Sequence, residues 1–549
     1  MNPSRALGLL LGASAAAAFF AACGDGNNPS VFDGGLDAST DGADDGSSLF
    51  DTTPFNGPYN DLPSAPILDA PDGGTGAPAS SSVLFGSPDS GGASGGPCLV
   101  EPEVGSLYPS NWLRPRFHWL APGGENLFEL RLHVKHQVSA LVVYTAQTSW
   151  TMPLAMWSGL ASHSQDQPMT VTVRGGVYAN SALSNVATGS TGPLGIAPAQ
   201  APGAIVYWTT SGGSALKGFS IGDETVGPVL APAQVKDQAA TCIGCHTSTP
   251  DGLFVSLTTS NSWNNSIASV EQGKQGQAPS FLSPAGATAL HHAPRGISAT
   301  SAAHWTTGDH VVVTAVDDQT IGWVNLEAAN AGTASGVFMR TGDARGAGAP
   351  TWSHDGKTIT YVSNDVNLTG RLDDGPADLY QIPYAGGAGG TATAVPGASD
   401  PSFEEYYPVY GPDDAWLAFD RIPNGNNMYN AAKAEVFVIP SAGGTATRLA
   451  ANDPPACTGK TSPGVTNSWP KWAPSATKTS DGRSFYWLVF SSTRDENGNP
   501  QLYVSPVVVD GQGNVTTYAA LYLWNQPANE NNHTPAWDVF KIPPPPPPN

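Results

Sequence analysis

Two stretches in the second half of this 549-residue chain repeat one another. PTWSHDGKTITYVS (350–363) and YPVYGPDDAWLAFDR (407–421) align on Pro-x-aromatic-x-x-Asp. LYQIPYAGGAGGTATAV (379–395) and VFVIPSAGGTATRLA (436–450) align behind them at the same offset, and Pro350 lies 58 residues before Pro408. Each unit reads as a short strand, a tight turn, a hydrophobic strand, another strand, Gly-Gly and a last strand. Such a unit cannot bury both faces alone, so units at a fixed period stack, and four-stranded units stack radially as propeller blades. Weaker copies begin at Ala303-His304-Trp305 and at Pro470-Lys471-Trp472. The final fragment HTPAWDVF (533–540) has only a first strand, and AIVYWTTS (204–211) with ALKGFSIGD (215–223) supplies the strands it lacks. Joining the two ends closes a ring of six blades and removes exposed sheet edges.

The Pro-x-Trp-Ser-x-Asp-Gly pattern resembles the TolB-like propeller family, whose blades read P-x-W-S-P-D-G-K before an I-A-F-like strand. The resemblance spans 201–542, and two blades match it well. The unit at 303 lacks the proline, and the unit at 470 carries an insertion, PSATKTSDGR, before its next strand. The resemblance implies an all-β fold, a six-bladed propeller whose central channel holds ligands.

Within this region stands Cys242-Ile-Gly-Cys245-His246, the C-x-x-C-H attachment signature of a c-type haem. Two thiols add to the haem vinyl groups, and the adjacent imidazole becomes an axial iron ligand. The spacing sets both sulfurs along one porphyrin edge. No βαβ pattern surrounds the motif as a thioredoxin-like pair requires, and no second C-x-x-C completes a zinc set. The sequence runs on through Asp251-Gly252 into FVSL, which matches a blade turn and its next strand, so His246 falls where Pro350 and Pro408 fall. That register puts the haem at the start of an innermost strand, on the rim of the channel. For the sixth ligand, His533 precedes the closing blade's first strand and is the first choice. His304 is next, Met339 and Met428 are sulfur alternatives, and an open position is a further one. Glu404, Glu405, Tyr406 and Tyr407 are placed to line the channel, and His354 falls in a solvent-facing turn.

The N-terminus points to export. Arg5 precedes the apolar run Ala6–Ala22, which ends in Phe20-Ala21-Ala22-Cys23, a sequence that looks like a bacterial lipobox. Residues 1–23 are then a lipoprotein signal, with Cys23 lipidated and the protein held at the cell envelope by its lipid anchor. Gly24 rather than Asp after the cysteine favours the outer membrane over the inner. Residues 24–97 hold eleven Asp and no Lys, Arg or Glu among Gly, Ser and Pro, which reads as a disordered tether. Its stretch at 33–46 misses the EF-hand spacing. Residues 98–198 alternate as strands at 114–119, 128–134, 141–145 and 169–175, and resemble a fibronectin type III or immunoglobulin-like β-sandwich. Their histidines (His118, His133, His136, His163) read as surface or packing residues. Residues 543–549 are a polyproline tail. Cys98 and Cys457 remain, either paired across the folded part or as separate thiols.

The formal charge of −22 excludes nucleic acid as a partner. Composition and motifs leave three functions. One is electron transfer through a single covalent haem c to a periplasmic redox partner. The second is a haem enzyme of peroxidase-like or oxidising type. The third is a glycan- or peptide-binding propeller whose haem is structural or sensing.

Overall fold

In the computed structural model the described residues are 57–71, 74–236, 239–259, 264–292, 298–317, 319–364, 376–425, 428 and 430–544. The lipobox with Cys23, the acidic tract at 33–46 and most of the polyproline tail lie outside them. No helix among them is long and apolar enough to cross a membrane.

The chain from 57 to 200 is built on two sheets. One has six strands in the order Ile67–Leu68, Leu141–Thr145, Leu127–Val134, Met169–Ala179, Ala182–Ile196 and Leu107–Tyr108. The other has three, with Arg116–Leu120 between Cys98–Glu101 and Ser149–Thr151. The inward residues of the alternating strands, among them Trp119, Phe128, Leu130 and Val171, are fully buried between them. A helix, Leu154–His163, is an addition to the expected strands. Its Trp157, Leu160 and Ala161 recur at the three- and four-residue spacing of one helical face, and that face is buried.

Residues 57–71 and 74–97 correct the tether expectation for that part, and 24–56 lie outside the described residues. Ile67–Leu68 pairs in parallel with Val143–Tyr144, and Leu62 and Phe85 are buried. His163 stacks on Tyr59 at 4.1 Å and its Nδ1 lies 3.0 Å from Asp61. A few widely spaced apolar anchors hold this polar segment down, which average composition conceals.

From 204 onward antiparallel sheets follow one another. They comprise 243–269, 311–337, 346–394, 403–448 and 467–522, preceded by a sheet of 204–230. The C-terminal strand Asn532–Asp538 pairs with Ala204–Thr209, from Ala204↔Asp538 to Thr209↔Asn532, and so ties the two ends of this part of the chain. The fold is all-β and propeller-like. Two local expectations change. Ala302–Trp305 is a short helix, and Ala299, four residues before the predicted start at Ala303, bridges Val313. The insertion at 474–483 forms a small strand, Thr477–Lys478, on the edge of Ser484–Ser492.

The two parts share one core. Trp119 and Phe117 belong to the same buried cluster as Trp487, Leu502 and Trp537. Trp487 donates to the Gln200 carbonyl at 3.0 Å, and Arg494 pairs with Glu103 at 2.9 Å with both side chains buried. Cys98 and Cys457 form a disulfide across this seam, which decides the open question of their pairing.

Candidate functional site: the axial strands and the C-x-x-C-H motif

The strands nearest the axis share a local irregularity. In four of them the ladder slips at one place, and a non-glycine residue of positive φ sits there directly before a proline. These residues are Ala349 (42°), Tyr407 (50°), Trp469 (64°) and Thr534 (40°). Left-handed backbone is costly for such residues, and a proline at the bulge gives up no ladder donor. A bulge re-aims a side chain. Here it directs Tyr407 and Trp469 together, their rings stacked at 3.9 Å.

The motif strand, Ile243–Ser248, slips at the same place, between Ile243 and His246. Counted back from the turn aspartates Asp251 and Asp355, Cys245 corresponds to Ala349 and His246 to Pro350. Cys245 packs in one buried cluster with Tyr406, Tyr407, Met428 and Trp469. Burial pushes its thiol up to about 11, opposed by the nearby charge of Lys471, so it is protonated. Lys471 in turn is pushed down to about 8 by burial.

His246 turns the other way. Its Nε2 lies 3.2 Å from the Val206 carbonyl on the strand Ala204–Thr209 and donates to it. That fixes Nδ1 as the unprotonated nitrogen, and Nδ1 is buried with no hydrogen-bond partner. Burial lowers the imidazole to about 4, so it is neutral. A neutral imidazole whose other nitrogen donates to a backbone carbonyl is the usual preparation of a metal ligand.

On the turn side of the Cys245 layer lies a cavity of about 250 Å³. Trp352, Tyr410, Trp472 and Trp537 wall it, and Lys471 and His354 face it. Ser248 is hydrogen-bonded to Asp538 at its edge, and His354 pairs with Asp414 at 2.8 Å. It is smaller than the ~300–1,000 Å³ of ordinary small-molecule sites.

The donor set therefore fits a c-type haem in identity and in protonation: a free thiol at Cys245 and a neutral imidazole at His246 with an idle nitrogen. Cys242 is buried just before the strand, and attachment requires it as a thiol. Among the described residues no group of three or more His, Cys, Asp or Glu gathers to hold a metal ion.

The sixth-ligand candidates separate. His533 is buried, neutral (lowered to about 4 by burial), with Nε2 unpartnered and its ring stacked on Trp208 at 5.2 Å. A side chain on Gly244 would meet Trp208 at 3.8 Å, so this indole stands between His533 and the motif strand. His304 sits in the short helix with Nδ1 2.6 Å from Asp309 and its ring against Trp352. Met339 is exposed, whereas Met428 shares the buried cluster of Cys245. Glu405 pairs with Arg421 at 2.9 Å, and burial raises it to about 7 against that pairing. Two groups at the axis lay outside the sequence reading. Lys471 was hidden in a repeat copy, and Asp420 accepts from Ser468 in the core, its carboxyl raised by burial.

No family model matches the chain, and no curated protein does. Solved structures with a similar arrangement include a TolB from Agrobacterium tumefaciens, 15% identical, covering 61% of this chain and 98% of that one at a TM-score of 0.32. A nidogen/laminin complex matches at 9% identity, covering 61% and 97%, at a TM-score of 0.34. Likeness at this level adds nothing about the site.

Proposed function

We propose that this chain is an exported, lipid-anchored envelope protein that carries one haem c covalently at Cys242, Cys245 and His246 and transfers electrons through it. The six sheets act as six blades of a closed propeller, and the sheets of 98–198 form a β-sandwich of fibronectin type III or immunoglobulin-like kind. The observation that carries the reading is His246: neutral, held by the Val206 carbonyl, with a bare buried Nδ1, next to the free Cys245 thiol. When bound, the haem supplies a one-electron centre. The chain's own residues supply two sulfurs, one imidazole and a dry aromatic layer of Tyr407 and Trp469 that excludes water. Met428 joins His533 among the residues that would serve as the sixth ligand, because Met428 belongs to the same buried cluster as Cys245. His/Met ligation raises the potential relative to His/His.

A second reading rests on the cavity above Cys245. Its aromatic walls and Lys471 suit a propeller that binds a glycan or peptide, with Cys245 as a structural thiol.

One measurement separates the two. The protein is matured in a periplasm equipped for haem attachment, and its pyridine haemochrome spectrum is compared with that of Cys242→Ala/Cys245→Ala. The expected result is one acid-stable c-type haem per chain, absent in the variant. No covalent haem, under conditions that mature a control cytochrome, refutes the haem reading and leaves the binding propeller.

A further inference from the structure

The cavity on the turn side of the Cys245 layer is built around one recurring position. In the four bulged strands the ladder resumes at Thr351, Val409, Lys471 and Ala536, and all four residues line the cavity. Lys471 is the charged one among them.

Nothing in the protein answers that charge. Among the described residues, Lys471 Nζ makes no hydrogen bond and no ion pair, yet it is not sealed away, since the residue is half-buried and faces the cavity. Burial lowers it to about 8, with the Cys245 thiol acting the other way, so it is protonated at neutral pH. The carboxylate that lines the cavity, Asp538, is committed elsewhere. It accepts from Ser248 and from the Val539 N–H at 2.8 Å, and burial raises it. The other basic lining residue, His354, is paired with Asp414. A desolvated ammonium group without a counter-ion is unfavourable, and an anion from outside relieves it.

The walls decide what kind of anion. Trp472 spends its indole N–H on the Val409 carbonyl at 3.3 Å, Trp537 on the Pro202 carbonyl at 2.7 Å, and the Tyr410 hydroxyl bonds Thr360 at 2.7 Å. Pro350, Pro408 and Pro470 bring no N–H. Phosphate and sulfate need several converging donors, and a glycan needs many polar partners; these walls offer apolar rings instead. An apolar cavity of about 150 Å³ admits one benzene ring, so about 250 Å³ admits a ring with a short charged arm.

We infer that the axial cavity binds a small aryl monocarboxylate, its carboxylate paired with Lys471 and its ring lying among Trp352, Tyr410, Trp472 and Trp537. The inference rests on the reading of this cavity as a binding site and replaces glycan or peptide with a narrower ligand class.

The test is calorimetric titration of the full chain with 3-phenylpropionate and with 3-phenylpropanamide, its uncharged analogue. Glucose and N-acetyl-trialanine amide stand for glycan and peptide. The expected result is saturable binding of the acid, with the amide about ten- to hundredfold weaker. Lys471→Met abolishes that margin, and Lys471→Arg keeps it. If Lys471→Met does not fold, the acid–amide comparison on the unaltered chain still decides. Equal binding of acid and amide, a margin that survives Lys471→Met, or no saturable binding of the acid overturns the proposal. Binding of glucose or the peptide without the acid overturns it and leaves the binding-propeller reading standing, whereas no binding of any probe removes both. The haemochrome spectrum is read separately, so the haem reading stands or falls on its own.

Discussion

Cutting the Cys98–Cys457 cross-link is the perturbation whose size the structure sets most directly. The bond closes a loop of 359 residues and spans the two parts of the fold. In the chain-entropy account the denatured state loses about 2.1 + 1.5R ln n in entropy units, which for a loop this long is ~6 kcal/mol at 25 °C. Measured disulfides deliver ~2–4 kcal/mol in most cases, so ~3–5 kcal/mol is the expected effect here. Unfolding entropy of about 2.1 cal/mol/K per residue over the 460 described residues gives ~1 kcal/mol/K, so the midpoint falls by ~3–5 °C if both parts unfold together. Cys457 is exposed in a short turn while Cys98 is buried, so a soluble phosphine reaches the bond from the 457 side without prior unfolding. The assay is calorimetric unfolding of oxidised protein, reduced protein and Cys98→Ser/Cys457→Ser. Reduced and double-serine proteins should agree with each other, melt earlier, and divide one transition into two as the seam loosens. An unchanged midpoint and a single transition in all three would refute the claim that this bond couples the two parts.

Two further outcomes follow from buried charge. Arg494→Ala leaves Glu103 buried without its partner and strips donors from Asn467 Oδ1 at 2.8 Å and the Ala451 carbonyl, so ~3–5 kcal/mol is lost, read as an earlier unfolding midpoint. Glu405 is raised by burial to about 7 in the folded chain from an ordinary 4.5. A raised folded value means its favourable contribution is complete below pH 4.5 and lost as pH climbs through 7. Haem-free protein should therefore gain stability between pH 8 and 5, and Glu405→Gln should flatten that limb. A slope of opposite sign in this window would show the Arg421 pairing outweighs burial.

Much of the architecture is legible because it is periodic. The Pro-x-aromatic-x-x-Asp spacing locates the axial strands at 350 and 408, and the incomplete first and last units together point to the pairing of Asn532–Asp538 with Ala204–Thr209. Aperiodic elements escape. The segment from 57 is held by single anchors such as Leu62 and Phe85 in a sequence that averages as disordered. Ala303-His304-Trp305 keeps the composition of a strand start, yet Ser301 to Gly308 closes as a helical turn and the axial place passes to Ala299. Partners hundreds of residues away leave no local mark: Arg494 and Glu103, or Trp487 and Gln200, were unreadable for that reason.

The motif at 242–246 is woven into the fold at positions that the haem does not use. Ile243 is fully buried in the cluster between neighbouring sheets, and its backbone N–H donates to Ser214 at 3.0 Å. Gly244 has no room for a side chain, since a Cβ would stand 2.7 Å from Thr258 Oγ1. Those two residues are dictated by packing whether or not haem is attached. The cysteines are different. Ala349 fills the place of Cys245 in another sheet, so Cys245→Ala puts a side chain there that the architecture already accepts. Cys242 precedes the strand and contributes no ladder pair. Alanine at both positions should therefore leave circular dichroism unchanged, with an unfolding midpoint close to that of the haem-free protein. Ile243→Ala, which empties a buried site, should instead cost about 2–5 kcal/mol. If the double alanine variant unfolds like Ile243→Ala, the cysteines are structural, and loss of haem in that variant reports misfolding rather than missing attachment sites.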